Sequence, residues 1–549
     1  MEGSWLIRVW HSFSTAGLLL ATLFFAASLT PSLLPRTYLT QGILSGCSLT
    51  AGYGLGVFGQ WLWTYMELPK PGGSVLRVVK LVLAAICTFV AVAFLWQAAH
   101  WQNSIRILMG LDPVASAEPL EIGLIALATF AVLIVLARVF RLTLAFISRR
   151  VNRFLPGRVA NVVGLFAAVM LFWSVITGVL FRVALHLADS SFQEFDALIE
   201  PENQQPTDAS RTGSHASLLK WDELGRAGRE FISSGPTSGD ISAFAGRQAL
   251  EPIRVYVGLR SAESVEERAR LALEELKRVA AFERSVLVVV TPTGTGWVDP
   301  AAMDSLEYLR NGDVASVALQ YSYLSSWLSL LLEPGYGADA ARALFKEVYG
   351  YWSILPRDHR PKLYLHGVSL GAMNSELSTD LVELLGDPIS GALWSGPPYA
   401  SRLWRWTTAN RNPGSPAWLP LFRDGSFVRF MNQYGVAASP GSQWGPMRIL
   451  YLQYASDPVT FFGYRYAYRE PDWMRPPRGP DVSPEMRWYP IVTMLQLLVD
   501  ISMALGAPIG HGHVFAPEHY IDGWVEVTDI RDWSPQELAR LKKYLAGRL

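Results

Sequence analysis

His366-Gly367-Val368-Ser369-Leu370-Gly371-Ala372 follows the apolar run Lys362 to Leu365 and precedes a stretch of helical character. The Gly-x-Ser-x-Gly spacing between a strand and a helix predicts a serine on a tight turn. Glycines on both sides let neighbouring backbone approach while the hydroxyl stands clear. A serine hydroxyl is a weak nucleophile at neutral pH, so such a turn calls for a histidine base oriented by a carboxylate.

Both are present downstream. The run from Arg448 to Tyr454 reads as a strand and delivers Asp457 just past its end, where loops of an open parallel sheet form ligand sites. Asp457 is the candidate acid; its plainer reading is a turn aspartate ahead of Pro458, and Asp522 is the alternative acid. Gly510-His511-Gly512-His513-Val514-Phe515 offers the base, with glycines that allow the loop to fold back toward the serine. His513 is favoured because Val514 and Phe515 can anchor it against a core, although His511 is not separated from it by sequence. Together with His519 the pair also admits a metal reading, but no His-Glu-x-x-His helix or cysteine ligand cluster accompanies it. No metal and no cofactor is therefore expected. For a developing oxyanion, the backbone N–H of Leu370 is one expected donor, and Thr293 and Gly294 in the turn Pro292-Thr293-Gly294-Thr295-Gly296-Trp297 are candidates for the second.

Around these residues, short β-rich runs alternate with amphipathic stretches, which implies an α/β sheet. The expected strands are Ile253 to Val257, Val286 to Thr291, Val314 to Leu319, Lys362 to Leu365, Gly391 to Trp394 and Met447 to Tyr454. Their nearly continuous Val, Ile, Leu and Tyr content suits parallel strands buried on both faces. Val265 to Ala281 and Ala338 to Trp352 read as helices. Between Trp394 and Trp444 lies a stretch rich in Trp, Arg, Pro and Gly, including Phe427 to Phe430, which fits either a lipid-facing lid or ordinary packing.

The N-terminal part differs. The chain has 549 residues, 47 Lys and Arg against 47 Asp and Glu, and 50% hydrophobic residues, with a mean hydropathy of +0.20. Balanced charge argues against a nucleic-acid partner, because phosphate neutralisation needs clustered cations. Up to Asp189 the sequence holds about five apolar runs long enough to cross a bilayer: near Ser12 to Leu29, Leu39 to Tyr65, Val75 to Ala98, Leu120 to Phe140 and Val159 to Leu187. Arg138, Arg141, Arg149, Arg150, Arg153 and Arg158 crowd the last connection and assign it to the cytoplasm. This predicts a multi-pass protein of the cell membrane with a cytoplasmic N-terminus and an extracytoplasmic catalytic part. The segment Ser28-Leu29-Thr30-Pro31-Ser32-Leu33-Leu34-Pro35-Arg36 ends the first run at two prolines and reads as a helix stop with an interfacial turn. Cys47 and Cys87, the only cysteines, fall in predicted spans and give no disulfide framework. The organisation expected is a helical membrane region over 1–189, a linker and lead-in over 190–249, and the α/β region over 250–549.

The Pro-Ser-Leu-Leu-Pro-Arg segment, the Gly367-Val368-Ser369-Leu370-Gly371 turn and Gly510-His511-Gly512-His513 together resemble a family of bacterial membrane-anchored α/β-hydrolases with an N-terminal multi-span domain and a C-terminal catalytic domain. The order Ser369, Asp457, His511 or His513 matches the chain order of that architecture. The resemblance implies an α-helical membrane domain followed by an α/β-hydrolase domain with a mainly parallel sheet. It also implies a serine hydrolase acting through an acyl-enzyme on esters or thioesters. Proximity to the bilayer favours lipid or acylated envelope substrates. An acyltransferase using the same residues, an inactive scaffold and a transport-associated protein are the alternatives. Oligomeric state is not legible.

Overall fold

The computed structural model describes residues 13–69, 73–174, 196, 203–323, 335–379 and 386–548. The expected span ends at Ser12 and over 175–187, and the linker up to 202 except Asp196, lie outside the described residues. The chain divides into two compact units: Met1–Leu185 with Phe462–Pro508, and His186–Phe461 with Ile509–Leu549.

The second unit is built on one sheet. Its strands are β1 (Ile253–Val257), β2 (Val286–Thr291), β3 (Val314–Leu319), β4 (Lys362–Val368), β5 (Gly391–Ser395), β6 (Val428–Asn432), β7 (Gly435–Ala437) and β8 (Arg448–Leu452). They lie in the order β1-β3-β2-β4-β5-β8-β6-β7. All neighbours are parallel except β6 and β7. Every residue of β2 and of β3 is buried, which explains why these runs read as largely apolar sequence rather than as an alternation. The helices Val265–Arg278, Pro300–Leu309 and Tyr336–Ile354 make the connections. The first opens with a capping box between Ser264 and Glu267, which satisfies two of the amide donors left over at a helix start.

The strand order reverses between β2 and β4, because β3 lies on the far side of β2 while β4 and β5 continue the other way. In an open α/β sheet the loops at the carboxyl ends of such a pair enclose the ligand crevice. The loops in question begin at Pro292, after β2, and at Ser369, after β4.

The aromatic-rich stretch after Trp394 contributes two strands that sequence reading did not anticipate. Phe430 on β6 is buried and stacks on Tyr451 of β8 with ring centroids 5.2 Å apart. Trp404 is buried, whereas Trp406 is 50% exposed.

The first unit contains the helices Thr15–Ser28, Tyr38–Tyr65, Gly73–Leu108, Pro119–Val151 and Gly157–Ser174. Three of them, Gly73–Leu108, Pro119–Val151 and Gly157–Ser174, are long and apolar enough to cross a membrane. The expectation of about five spans is thus corrected to three among the described residues. Thr15–Ser28 has 14 residues and starts at the Ser14 cap, and at 1.5 Å per residue it falls short of a hydrocarbon core about 30 Å thick. Tyr38–Tyr65 is long, but apart from Leu44 its buried face is made of small and polar residues, Gln41, Gly42, Ser45, Gly46, Ser48, Gly52 and Gly56. That face is used for close packing: a Cβ at Gly46 would stand 2.7 Å from the Ala126 carbonyl, and one at Gly52 2.7 Å from the Leu20 carbonyl. Small residues let helix backbones approach in this way. Phe462–Pro508 belongs to this unit and carries the helix Val492–Ser502, packed against Thr15–Ser28 and Tyr38–Tyr65. Cys47 and Cys87 are free thiols.

Candidate active site

Ser369 connects β4 to the helix Leu370–Ser378 with φ 57° and ψ −125°. A positive φ is strained for any residue with a Cβ and persists only where surrounding contacts over-determine it. Those contacts are supplied by the flanking glycines. A side chain at Gly367 would collide with the backbone of Gly371, and one at Gly371 with the carbonyls of Thr291 and Pro292. The elbow is therefore pressed against the end of β2 on one side. On the other, the Ser369 N–H donates to the Ser395 carbonyl at the end of β5, 2.9 Å away. Leu370 occupies the first helical position, where an amide has no intrahelical acceptor.

Asp457 lies just beyond β8 and is fully buried. Its Oδ1 accepts the N–H of Val459 at 2.8 Å and that of Thr460 at 3.4 Å, and its Oδ2 accepts the Thr460 hydroxyl at 3.0 Å. Oδ2 also lies 2.7 Å from Nδ1 of His513. A carboxylate can only accept, so Nδ1 carries the proton and Nε2 is left as the basic nitrogen. That Nε2 is buried and has no hydrogen-bond partner among the described residues.

Local contacts hold the histidine loop. The Gly512 N–H donates to the Ser456 hydroxyl at 2.9 Å, that of Gly510 to the Val514 carbonyl at 2.9 Å, and that of Ala516 to the Tyr454 hydroxyl at 3.1 Å. Gly510 and Gly512 both take positive φ, 86° and 56°, which glycine adopts without steric cost. Phe515 stands edge-on to the His513 ring at 5.6 Å between centroids. The imidazole lies so close over Gly396, the residue after β5, that a Cβ there would strike the ring. The Ser369 amide and the His513 ring thus both abut one dipeptide, Ser395-Gly396.

Residues 253–541 match the alpha/beta-hydrolase family, and residues 29–236 match the alpha/beta-hydrolase family N-terminus. The chain belongs to the α/β-hydrolase family. No curated protein and no solved structure matches it.

The other expected residues of this α/β-hydrolase fall as follows. The Thr293 amide donates to the Trp297 carbonyl at 3.0 Å and so closes its own turn; Gly294 sits in the same turn. His511 is half-buried, and its backbone forms an isolated bridge with Val514. Asp522 pairs with Lys542 at 2.6 Å. His519 meets the Tyr454 hydroxyl at 2.6 Å, and burial pushes its pKa down to about 4. His366, within the elbow motif itself, bonds the Leu393 carbonyl at 2.7 Å and is likewise held near 4 by burial. Among the described residues no group of three His, Cys, Asp or Glu side chains converges as a metal site.

One residue near this constellation was not anticipated. Asp299 caps the helix Pro300–Leu309, accepting the Ala301 N–H at 3.0 Å, and its other oxygen accepts the Tyr520 hydroxyl at 2.8 Å. Burial pushes its pKa up to about 6, against the pull of these two donors and of His513. Asp-Pro before an apolar run is a legible helix start, but nothing local announces that Asp299 faces Tyr520 or feels His513.

Proposed function

We propose that this α/β-hydrolase is a membrane-anchored serine hydrolase that cleaves ester or thioester bonds. The reading assigns Ser369 as nucleophile, His513 as base and Asp457 as the group that orients it. The observation that carries it is the His513 ring, with Nδ1 on Asp457 and Nε2 buried without a hydrogen-bond partner among the described residues. Ser369 Oγ attacks the acyl carbon while its proton passes to Nε2, and the negative charge on the former carbonyl oxygen is met by the Leu370 N–H. Collapse of this adduct breaks the bond to the leaving alcohol or thiol, which takes the proton from Nε2. Water then attacks the acyl-serine, giving its proton to Nε2. The second collapse releases the acid and returns the proton to Ser369. Asp457 stabilises the imidazolium in both halves without itself taking the proton.

Three apolar helices in the same chain favour an acyl substrate delivered from a lipid phase, of lipid or acylated envelope type. The basic residues between Arg138 and Arg158 support a cytoplasmic connection there. The direct test is labelling of the full-length protein by a fluorophosphonate. A Ser369-dependent adduct is expected, and an equal adduct on Ser369→Ala, or none on folded wild type, defeats the assignment.

A further inference from the structure

Phe462–Pro508 is flanked in sequence by the candidate acid and base. Asp457 lies just before that segment and His513 just after it, yet the segment itself packs within the unit formed by the N-terminal helices. Its anchorage there is specific. The turn over residues 29–37, which contains the Pro31-Ser32-Leu33-Leu34-Pro35-Arg36 motif, wraps around Asp500 on the helix Val492–Ser502. The Ser32 hydroxyl donates to Asp500 Oδ1 at 3.0 Å and the Leu33 N–H to Oδ2 at 3.0 Å. One turn earlier, Gln496 Nε2 donates to the Thr30 carbonyl at 3.0 Å. Arg36, the opposite charge nearby, donates to the Thr30 carbonyl at 2.9 Å, and its own N–H donates to Gln102 Oε1 at 2.9 Å. Ser32, Gln496 and Asp500 are fully buried, and Arg36 is 8% exposed. Pro31 and Pro35 fix φ and carry no N–H of their own, so the turn is pre-shaped around the amide it offers.

A buried carboxylate held by donors from another segment is costly to misplace, because any other arrangement leaves it unsatisfied. It therefore specifies register. The helix it fixes begins at Ile491, a β-branched residue at φ 65° whose N–H donates to the Ala467 carbonyl at 2.8 Å. Strain of that kind persists where the surroundings demand one conformation.

We propose that the Pro31–Arg36 turn and Asp500 form a latch that holds both chain ends of the inserted segment, and through them the placement of Asp457 against His513. Ser32, Arg36 and Asp500 are then positioning residues for the serine-hydrolase chemistry, a role that rests on the function proposed above. The physical link is covalent continuity: the loop bearing the acid enters the latched segment and the loop bearing the base leaves it.

The test uses the full-length protein in detergent micelles, comparing wild type with Asp500→Asn and Ser32→Ala by hydrogen exchange and by fluorophosphonate labelling. If the latch acts, the amides of Val459, Thr460, Gly510, Gly512 and Val514 exchange about tenfold faster in Asp500→Asn, while β2 and β4 keep their protection. The labelling rate constant falls by about tenfold with the end-point unchanged, because folded protein reacts more slowly. Loop exchange within about twofold of wild type overturns the latch, as does a lowered end-point at an unchanged rate constant, which reports only a smaller folded fraction. Should Asp500→Asn fail to fold, Ser32→Ala, which removes one bond, decides on the same criteria. Faster loop exchange in a protein whose wild type does not label upholds the latch and defeats the serine-hydrolase reading instead.

Discussion

Asp457 and Asp500 are both fully buried, and each gathers donors from far along the chain. What stands opposite them differs. Asp457 faces an imidazole, the side chain most often used as a general base, and the far nitrogen of that ring has no hydrogen-bond partner among the described residues. Asp500 faces a hydroxyl, backbone amide and a guanidinium spent on main-chain carbonyls, and arginine does not give up its proton in proteins. On the roles proposed above, the same buried group poises a base in one region and fixes chain register in another. The partner decides which.

The sharpest way to break this contrast is at the first carboxylate. Ser369→Ala removes the proposed nucleophile and is expected to abolish fluorophosphonate labelling. Asp457→Asn leaves the loop able to bond Val459 and Thr460 but no longer holds His513 in the tautomer with a basic Nε2. Its labelling rate is expected to fall by about 10⁴, with the thermal midpoint little moved. A rate within about tenfold of wild type would mean that the pair is structural.

At the second carboxylate the damage should appear in stability instead. Asp500→Ala strips Ser32 and Leu33 of their acceptor and leaves the buried Arg36 without its opposite charge. A loss of about 3–5 kcal/mol is expected from leaving these buried donors and the buried guanidinium without the carboxylate. Chemical denaturation in micelles measures it, and a loss below about 1 kcal/mol would show that the turn is held by packing alone.

A third buried carboxylate sharpens the comparison. Asp299 faces only neutral donors at close range, the Tyr520 hydroxyl and the Ala301 amide, and burial pushes its pKa up to about 6. A carboxyl whose folded pKa exceeds its unfolded value favours folding at low pH, and that contribution is lost as pH rises through the folded value. The span from about 4 to about 6 corresponds to roughly 3 kcal/mol at most. Asp299→Asn keeps the acceptor and loses the titration. Wild type is thus expected to lose stability relative to Asp299→Asn between pH 5 and pH 8, by about 1–2 kcal/mol in that window. Parallel thermal profiles across that range would count against it.

The parts legible in sequence are those whose cause is local or periodic. β2 and β3 declared themselves because burial on both faces leaves them mostly Val, Ala and Leu, and the elbow at Ser369 because glycine alone fits beside it. β6 was not legible: its Val428-Arg429-Phe430-Met431-Asn432 carries a buried arginine that pairs with Glu526 at 2.6 Å, and no reading along the chain shows that partner. The N-terminal helices were legible as apolar runs, but a run does not show that Tyr38–Tyr65 uses its Gly and Ser face for close packing. Least legible was Ile491 to Leu505, an apolar stretch between acid and base whose destination is the Pro31–Arg36 turn. That pairing depends on Asp500 meeting Ser32, residues joined by no local pattern.

The smallest effect separates the two histidines of one motif. His511 and His513 share their glycine neighbours, and sequence favours the second only through Val514 and Phe515. In the folded chain the preference has a geometric basis: His513 sits over Gly396, has Phe515 at its edge and meets Asp457 at 2.7 Å, whereas His511 pairs through its backbone with Val514. His513→Ala should therefore behave like Asp457→Asn. His511→Ala leaves the acid, the base and the Gly512 bond to Ser456 in place, so its labelling rate is expected within about threefold of wild type and its stability within about 1 kcal/mol. The decisive quantity is the ratio of the two labelling rates. A ratio near one would mean that the bond between His513 and Asp457 anchors the loop rather than poising a base, and the contrast between Asp457 and Asp500 would collapse into two versions of the same structural device.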